Sequence, residues 1–178
     1  PLPGTELALV DDSGQPVPPG ASGEIVVRGP QLMAGYWQRP EETARVMLPG
    51  GWLRTGDLGR LAPDGALKLV DRLRDIVWVG GLPVVPNQVE ELVQQLPGVR
   101  ECAAVAMPHP DGPEAGDAVR LVVVRDTPGA AEPTEAQLRA HCERHLAGYQ
   151  RPVAIEFCSS LPRTGVGKLL RRALRDAA

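Results

Sequence analysis

Between Gly51 and Gly81 the chain reads GWLRTGDLGRLAPDGALKLVDRLRDIVWVGG, and this stretch restricts the fold more than any other. A polar signature, Arg54-Thr55-Gly56-Asp57, leads into a hairpin pattern over residues 57–70 that turns at Pro63-Asp64-Gly65. The run Asp71-Arg72-Leu73-Arg74-Asp75 then empties into the apolar residues 76–79. Folded as a hairpin, this layout sets Asp57 at one strand start and Arg72 at the far end of the partner strand, where both can face one ligand. A carboxylate accepts from two neighbouring hydroxyls, as a ribose offers, and a guanidinium fork suits phosphate or ring-edge oxygens. The pairing suggests a nucleotide.

The remaining texture is that of a water-soluble α+β chain. At 178 residues and 43% hydrophobic it can bury a core of its own, as one domain or two small ones. Only 3% of residues are aromatic, so Leu, Val and Ala must fill that core. A formal charge of −3 and a pI near 5.7 give no general attraction to nucleic acid or anionic membrane. The longest apolar runs, residues 76–79 and 121–124, are strand-sized, far short of the roughly 20 residues of a membrane span. No signal peptide is visible. Cys102, Cys142 and Cys158 are odd in number and irregularly spaced, which suits reduced, buried thiols in a cytoplasmic protein better than a disulfide framework.

Read in order, residues 6–10 and 24–28 are expected strands; two strands alone are marginal and must lean on something else. Pro40-Glu41-Glu42-Thr43 opens a helix to about Met47, stopped by Pro49-Gly50-Gly51. Past Asp75 come a strand at 76–79, a flexible Gly80-Gly81 loop, and a helix from Pro86 with apolar residues at 89, 92, 93 and 96. Strands follow at 99–106 and 119–125, then a helix from Thr134, whose Gln137 completes a capping-box pattern, to Leu146. A strand at 155–158 and a basic helix from Lys168 to Asp176 close the chain, and residues 128–133 read as a loop.

TGDLGRLAPDGALKLVDRLRD, followed by GGLPVVPNQVEE and ending in LPRTGVGKLLRRALRD, resembles the adenylate-forming (AMP-binding) acyl-CoA synthetase family across nearly the whole chain. The segments GYWQRPEETARVM and VGKLLRRALR resemble its long-chain fatty-acid–CoA ligases most. The resemblance implies an α+β chain in three parts: residues 1–71, the β-rich end of a large AMP-binding domain; a hinge at 72–75; and a small mobile C-terminal domain at 76–178, with a short sheet covered by helices. The phosphate loop and the acid-binding pocket would lie upstream, in a missing N-terminal domain of the same chain, so this C-terminal fragment is expected to be inactive alone. Implied substrates and cofactors are a carboxylic acid, ATP with Mg2+, and CoA; no nucleic acid or transmembrane segment is implied.

The same resemblance assigns roles residue by residue. Asp57 and Arg72 become nucleotide contacts, although the residues alone also allow a turn cap and a surface cation. Arg74 stands at the hinge, where the family has Asp or Lys. Lys168 becomes the adenylation lysine, carried by a loop whose Gly165 and Gly167 would let it reach into a cleft. Gly80 and Gly81 would line the thiol-access tunnel, where a missing side chain lets a slender arm pass; Gly80-Gly81-Leu82-Pro83 departs from the family's Ser-Gly followed by a bulky or aromatic residue. His141 and His145 stand i, i+4, a spacing able to bind metal, but without a third ligand they read as a helix-surface pair and no metal site is assigned. Two other readings stay open: a module loading an amino or aryl acid onto a carrier protein, and a non-catalytic α+β interaction module.

Overall fold

The computed structural model describes residues 2–126 and 132–176. The chain divides into two compact units, Pro1–Arg74 and Asp75–Ala178.

In the first unit five strands form one antiparallel sheet: β1 (Glu6–Val10), β2 (Ser22–Arg28), β3 (Met47–Leu48), β4 (Trp52–Leu61) and β5 (Leu67–Arg72). The order is β1-β2-β4-β3, with β5 also paired to β4. The two N-terminal strands therefore lean on the hairpin, since β2 is hydrogen-bonded along β4. The hairpin's first strand starts five residues before Asp57, at Trp52, because β3 extends the pairing backwards. Helix α1 (Pro40–Val46) has Pro in its first turn, Glu41 and Glu42 behind it and Arg45 in its last, so its charges follow the helix dipole.

Two irregularities interrupt β4. Val26 faces Arg54 while Glu24 faces Leu58, so Thr55, Gly56 and Asp57 together oppose the single residue Ile25. On the other edge Leu58 faces Asp71 but Gly59 faces Leu69, which places Val70 as an extra residue on β5. The first falls within the polar signature and the second directly after it, and such bulges re-aim side chains next to functional sites. Gly59 has no room for a side chain: a Cβ there would meet Ile25 at 2.7 Å.

In the second unit β6 (Val77–Val79) and β7 (Leu82–Val84) make a small hairpin, and α2 (Pro86–Val93) follows. Strand β7 holds Pro83, which breaks the sequence pattern of a strand; it is tolerated because, among the described residues, β7 pairs with no strand but β6. The main sheet runs β10-β9-β8, from β8 (Val99–Pro108), β9 (Asp117–Arg125) and β10 (Ala154–Cys158). β8 is antiparallel to β9, and β10 parallel to it through a crossover that contains α3 (Glu135–His145). The capping box is formed: Gln137 N–H donates to Thr134 Oγ1 at 3.2 Å and Thr134 N–H to Gln137 Oε1 at 2.9 Å.

Burial of both faces explains the unbroken apolar run in β9. Val119, Leu121 and Val123 pack with Val89 and Val93 of α2, Leu138 and Cys142 of α3, and Val77 and Val84 of the hairpin. Val122 and Val124 face the other way, with Ala103 of β8 and with Leu161, Leu169 and Leu174 of the C-terminal segment. The loop expected at 128–133 falls largely outside the described residues.

The C-terminal helix is shorter than its sequence suggests. Helix α4 covers Arg171–Arg175, and Lys168 precedes it. Residues 163–169 instead pair as a hairpin, with Arg163 opposite Leu169, and Leu170 N–H donates to Pro162 O at 2.9 Å, so these donors are engaged outside any helix. Among the described residues no helix is long and apolar enough to cross a membrane.

Candidate functional site

The polar signature of the first unit is held open by a buried acid. Glu24, on β2, is 7% exposed; its carboxylate accepts from Gly56 N–H at 3.0 Å and pairs with the Arg54 guanidinium, which also donates to Asp12 O at 3.1 Å. Thr55 Oγ1 donates to Ile25 O at 2.8 Å and accepts from Asp57 N–H at 3.1 Å. Gly56 sits at φ +73°, in the left-handed region that favours glycine. These bonds fix the bulge from both sides, so Asp57 leaves the sheet in one direction.

Asp57 and Arg72 are direct cross-strand partners, with Arg72 Nε 3.2 Å from Asp57 Oδ1. The carboxylate is 26% exposed and the guanidinium 51%, so both remain open to a ligand. The neighbouring Asp71 is buried and accepts from Arg72 N–H at 2.7 Å, which anchors the backbone beneath the pair. Arg74 is exposed on the 3-10 turn Leu73–Asp75, where the first unit ends.

In the second unit Lys168 follows a tight turn. Gly167 N–H donates to Thr164 O and Thr164 N–H to Lys168 O, both at 2.8 Å, while Arg163 Nη1 donates to Gly167 O at 2.9 Å. Arg163 is in turn paired with Glu101 of β8. This is a three-residue hairpin turn closed by a left-handed glycine, Gly167 at φ +82°. The two glycines therefore serve a bonded hairpin, where the sequence suggested a slack loop. Lys168 is exposed, and among the described residues its ammonium has no hydrogen bond or ion pair. Gly167→Val is expected to destabilise the unit by about 1–3 kcal/mol through backbone strain. Gly165→Ala, with open space and no positive φ, should change stability by under about 0.5 kcal/mol; thermal midpoints of both variants check this.

Gly80 and Gly81 also form a defined turn. Both have positive φ, +55° and +80°, the signature of a two-residue type I′ connection, and Val79 pairs with Leu82 across it. A Cβ at either glycine would meet nothing within 4 Å, so the turn surface is bare, and it is flanked by exposed Trp78 and Leu82.

Several charged residues that the sequence did not single out prove central. Arg171 falls within the stretch expected as a basic helix, yet it is 13% exposed and paired with Glu90 of α2. Glu90 shares the buried face of α2 with Pro86, Val89 and Val93, and a charge on an apolar stripe was the signal available. Glu24 likewise interrupts the apolar β2. In neither case does the sequence identify the partner.

All three cysteines are free thiols. Burial, reinforced by the Glu90 charge, pushes the Cys102 thiol up to about 12. Native protein at pH 8 is therefore expected to leave Cys102 unalkylated while half-buried Cys158 on edge strand β10 reacts first, as mass spectrometry after a timed iodoacetamide pulse would show. The His141 and His145 rings lie 4.8 Å apart, with His141 Nε2 3.1 Å from Leu92 O. No group of three or more His, Cys, Asp or Glu among the described residues could hold a metal ion.

The chain thus sets a carboxylate–guanidinium pair on a bulged hairpin, followed by a small α+β unit with a Gly-Lys turn just before its last helix. Residues 1–37 match the AMP-binding enzyme family and residues 88–168 the AMP-binding enzyme C-terminal domain. The chain therefore carries AMP-binding enzyme family domains at both ends. Among particular relatives, it is 47% identical over all 178 residues to the long-chain-fatty-acid–CoA ligase of Escherichia coli O6:H1, spanning 30% of that protein's length. It is 43% identical over 171 residues to a feruloyl-CoA synthase of an Amycolatopsis species, covering 96% of this chain and 34% of the relative. Of solved structures, ATP-bound MatB from Rhodopseudomonas palustris superposes with a TM-score of 0.92 at 35% identity, covering 99% of this chain and 34% of that one. The amide bond synthetase McbA from Marinactinospora thermotolerans gives 0.87 at 44%, covering 99% of this chain and 35% of that one.

Proposed function

We propose that this chain is the C-terminal part of a cytoplasmic, ATP-dependent acyl-CoA synthetase that activates a long-chain fatty acid as its acyl-adenylate and passes the acyl group to CoA. The observation that carries this reading is the 47% identity to long-chain-fatty-acid–CoA ligases along the entire chain. The partly exposed Asp57–Arg72 pair supports it independently, because its chemistry suits a nucleotide.

Asp57 accepts from the two ribose hydroxyls, and Arg72 contacts the same nucleotide from the adjacent strand. A carboxylate oxygen of the acid attacks the α-phosphorus of ATP, and pyrophosphate leaves with the bonding pair. Lys168 supplies a compact positive charge to the acid and α-phosphate oxygens as negative charge builds on them. The small domain then turns about residues 72–75, with Arg74 as its pivot, withdrawing Lys168. It next presents the Gly80-Gly81 surface, past which the CoA pantetheine arm enters; the thiol, losing its proton, attacks the acyl carbon and AMP departs. Mg2+ would accompany the ATP phosphates and offset their charge. The first domain boundary is set near residue 71, and the phosphate loop and acid pocket belong to a preceding domain of the same polypeptide.

An aryl acid is the second reading for the substrate, favoured by the 43% identity to feruloyl-CoA synthase. Calorimetry of the complete polypeptide with a non-hydrolysable acyl-adenylate analogue tests the nucleotide site. Asp57→Asn should weaken binding about 10- to 100-fold, the value of charge-assisted hydrogen bonds; unchanged affinity would refute the ribose role.

A further inference from the structure

We infer that the buried Arg171–Glu90 pair is the positioning device for Lys168, an inference that rests on the adenylation role proposed for that lysine. Helix α4 has five residues, too few to be stable by itself. It is fastened at both ends by arginines. At its end, Arg120 of β9 donates to Leu174 O. At its start, Arg171 reaches into the unit: Nη1 bonds Glu90 and, at 3.0 Å, Ala104 O, while Nη2 bonds Glu90 Oε2 at 2.9 Å and Asn87 Oδ1 at 3.1 Å. Glu90 Oε1 also accepts from Ala104 N–H at 2.7 Å. One planar guanidinium is thus tied to α2 and β8 together, which fixes its orientation as well as its place.

Lys168 lies three residues upstream along a short arm that has little freedom of its own. Leu169 packs into the second apolar cluster, and Leu170 N–H is bonded to Pro162 O. The backbone of Lys168 therefore follows wherever Arg171 is held. Arg171 Nε also lies 3.9 Å from Asp75 Oδ2, so the same side chain touches the residue directly after the proposed pivot Arg74. Replacing a buried ion pair by well-packed apolar residues is often neutral for stability. What this pair adds beyond an apolar pair is direction, and the lysine uses it.

The test uses the complete polypeptide and follows both half-reactions with the thermal midpoint. In the double variant Arg171→Met, Glu90→Leu, adenylate formation should fall about 10- to 100-fold in kcat, as a misplacement near 1 Å costs, with the KM for ATP within about threefold. Thioester formation from supplied acyl-adenylate should stay within about threefold of the parent, with the midpoint lowered only by the Ala104 N–H that loses its Glu90 acceptor. Recovery of adenylation together with the midpoint, or equal loss in both half-reactions, overturns the inference. If the double variant is unstable, Arg171→Lys decides, since it keeps the charge and loses the fork: undiminished adenylation overturns the inference, and selective loss supports it. Lys168→Ala in parallel separates the two layers. If that variant adenylates normally, the reading of Lys168 has failed; if it is crippled while the Arg171 variants are not, the positioning inference alone has failed.

Discussion

Lys168→Ala in the complete polypeptide is expected to lower the rate of adenylate formation by about 10²–10³-fold, the usual loss when one preorganised donor to a developing charge is removed. Thioester formation from supplied acyl-adenylate should be largely spared. The expectation follows from the side chain's situation. It is exposed, its ammonium has no protein partner among the described residues, and it extends from a hairpin closed by backbone bonds of Thr164, Gly167 and Lys168, so truncating the side chain removes no bond of the fold. Single-turnover assays of the two half-reactions check it, and equal loss in both would refute the division of labour.

Glu90→Ala is expected to destabilise the second unit by about 3–5 kcal/mol, the range for a buried ion pair that loses one member. Its removal leaves the Arg171 guanidinium, 13% exposed, without its main counter-charge and deprives the Ala104 N–H of its acceptor. Glu90→Gln keeps the shape and one acceptor and should fall between parent and alanine. Chemical denaturation of the three proteins gives the order, and a Glu90→Ala change under about 1 kcal/mol would contradict the account of the pair.

The hairpin, strands β6, β8, β9 and β10 and helices α2 and α3 were legible because each rests on local signals: apolar runs of strand length, Pro at a helix start, a Thr-x-x-Gln cap; β7 was not, because Pro83 breaks its strand pattern. Asp57 and Arg72 were legible as groups at one end of the hairpin, but not as direct partners: the register beside the turn, with Arg60 facing Lys68, would oppose Asp57 to Asp71, and the extra residue Val70 brings Arg72 there instead. The bulges were not, since an extra residue in a strand leaves no mark in composition and shifts the alternation only once the partner strand is known. The ion pairs were hidden for a related reason. Glu24 and Arg54 are 30 positions apart and Glu90 and Arg171 are 81, so each looks like an ordinary surface charge until the fold joins them. The C-terminal helix was overextended because Lys168 to Arg175 has good helix-forming composition, while the left-handed Gly167 and the pairing of Arg163 with Leu169 commit its first residues to a hairpin.

The central claim is that this chain serves an adenylate-forming site. Acid-dependent exchange of labelled pyrophosphate into ATP by the complete wild-type polypeptide tests it most directly, because exchange requires reversible formation of an acyl-adenylate and nothing else. Exchange that appears on adding a long-chain fatty acid and vanishes without it is the predicted result. Absence of exchange with fatty, aryl and amino acids alike, in a polypeptide shown to be folded, would contradict the account.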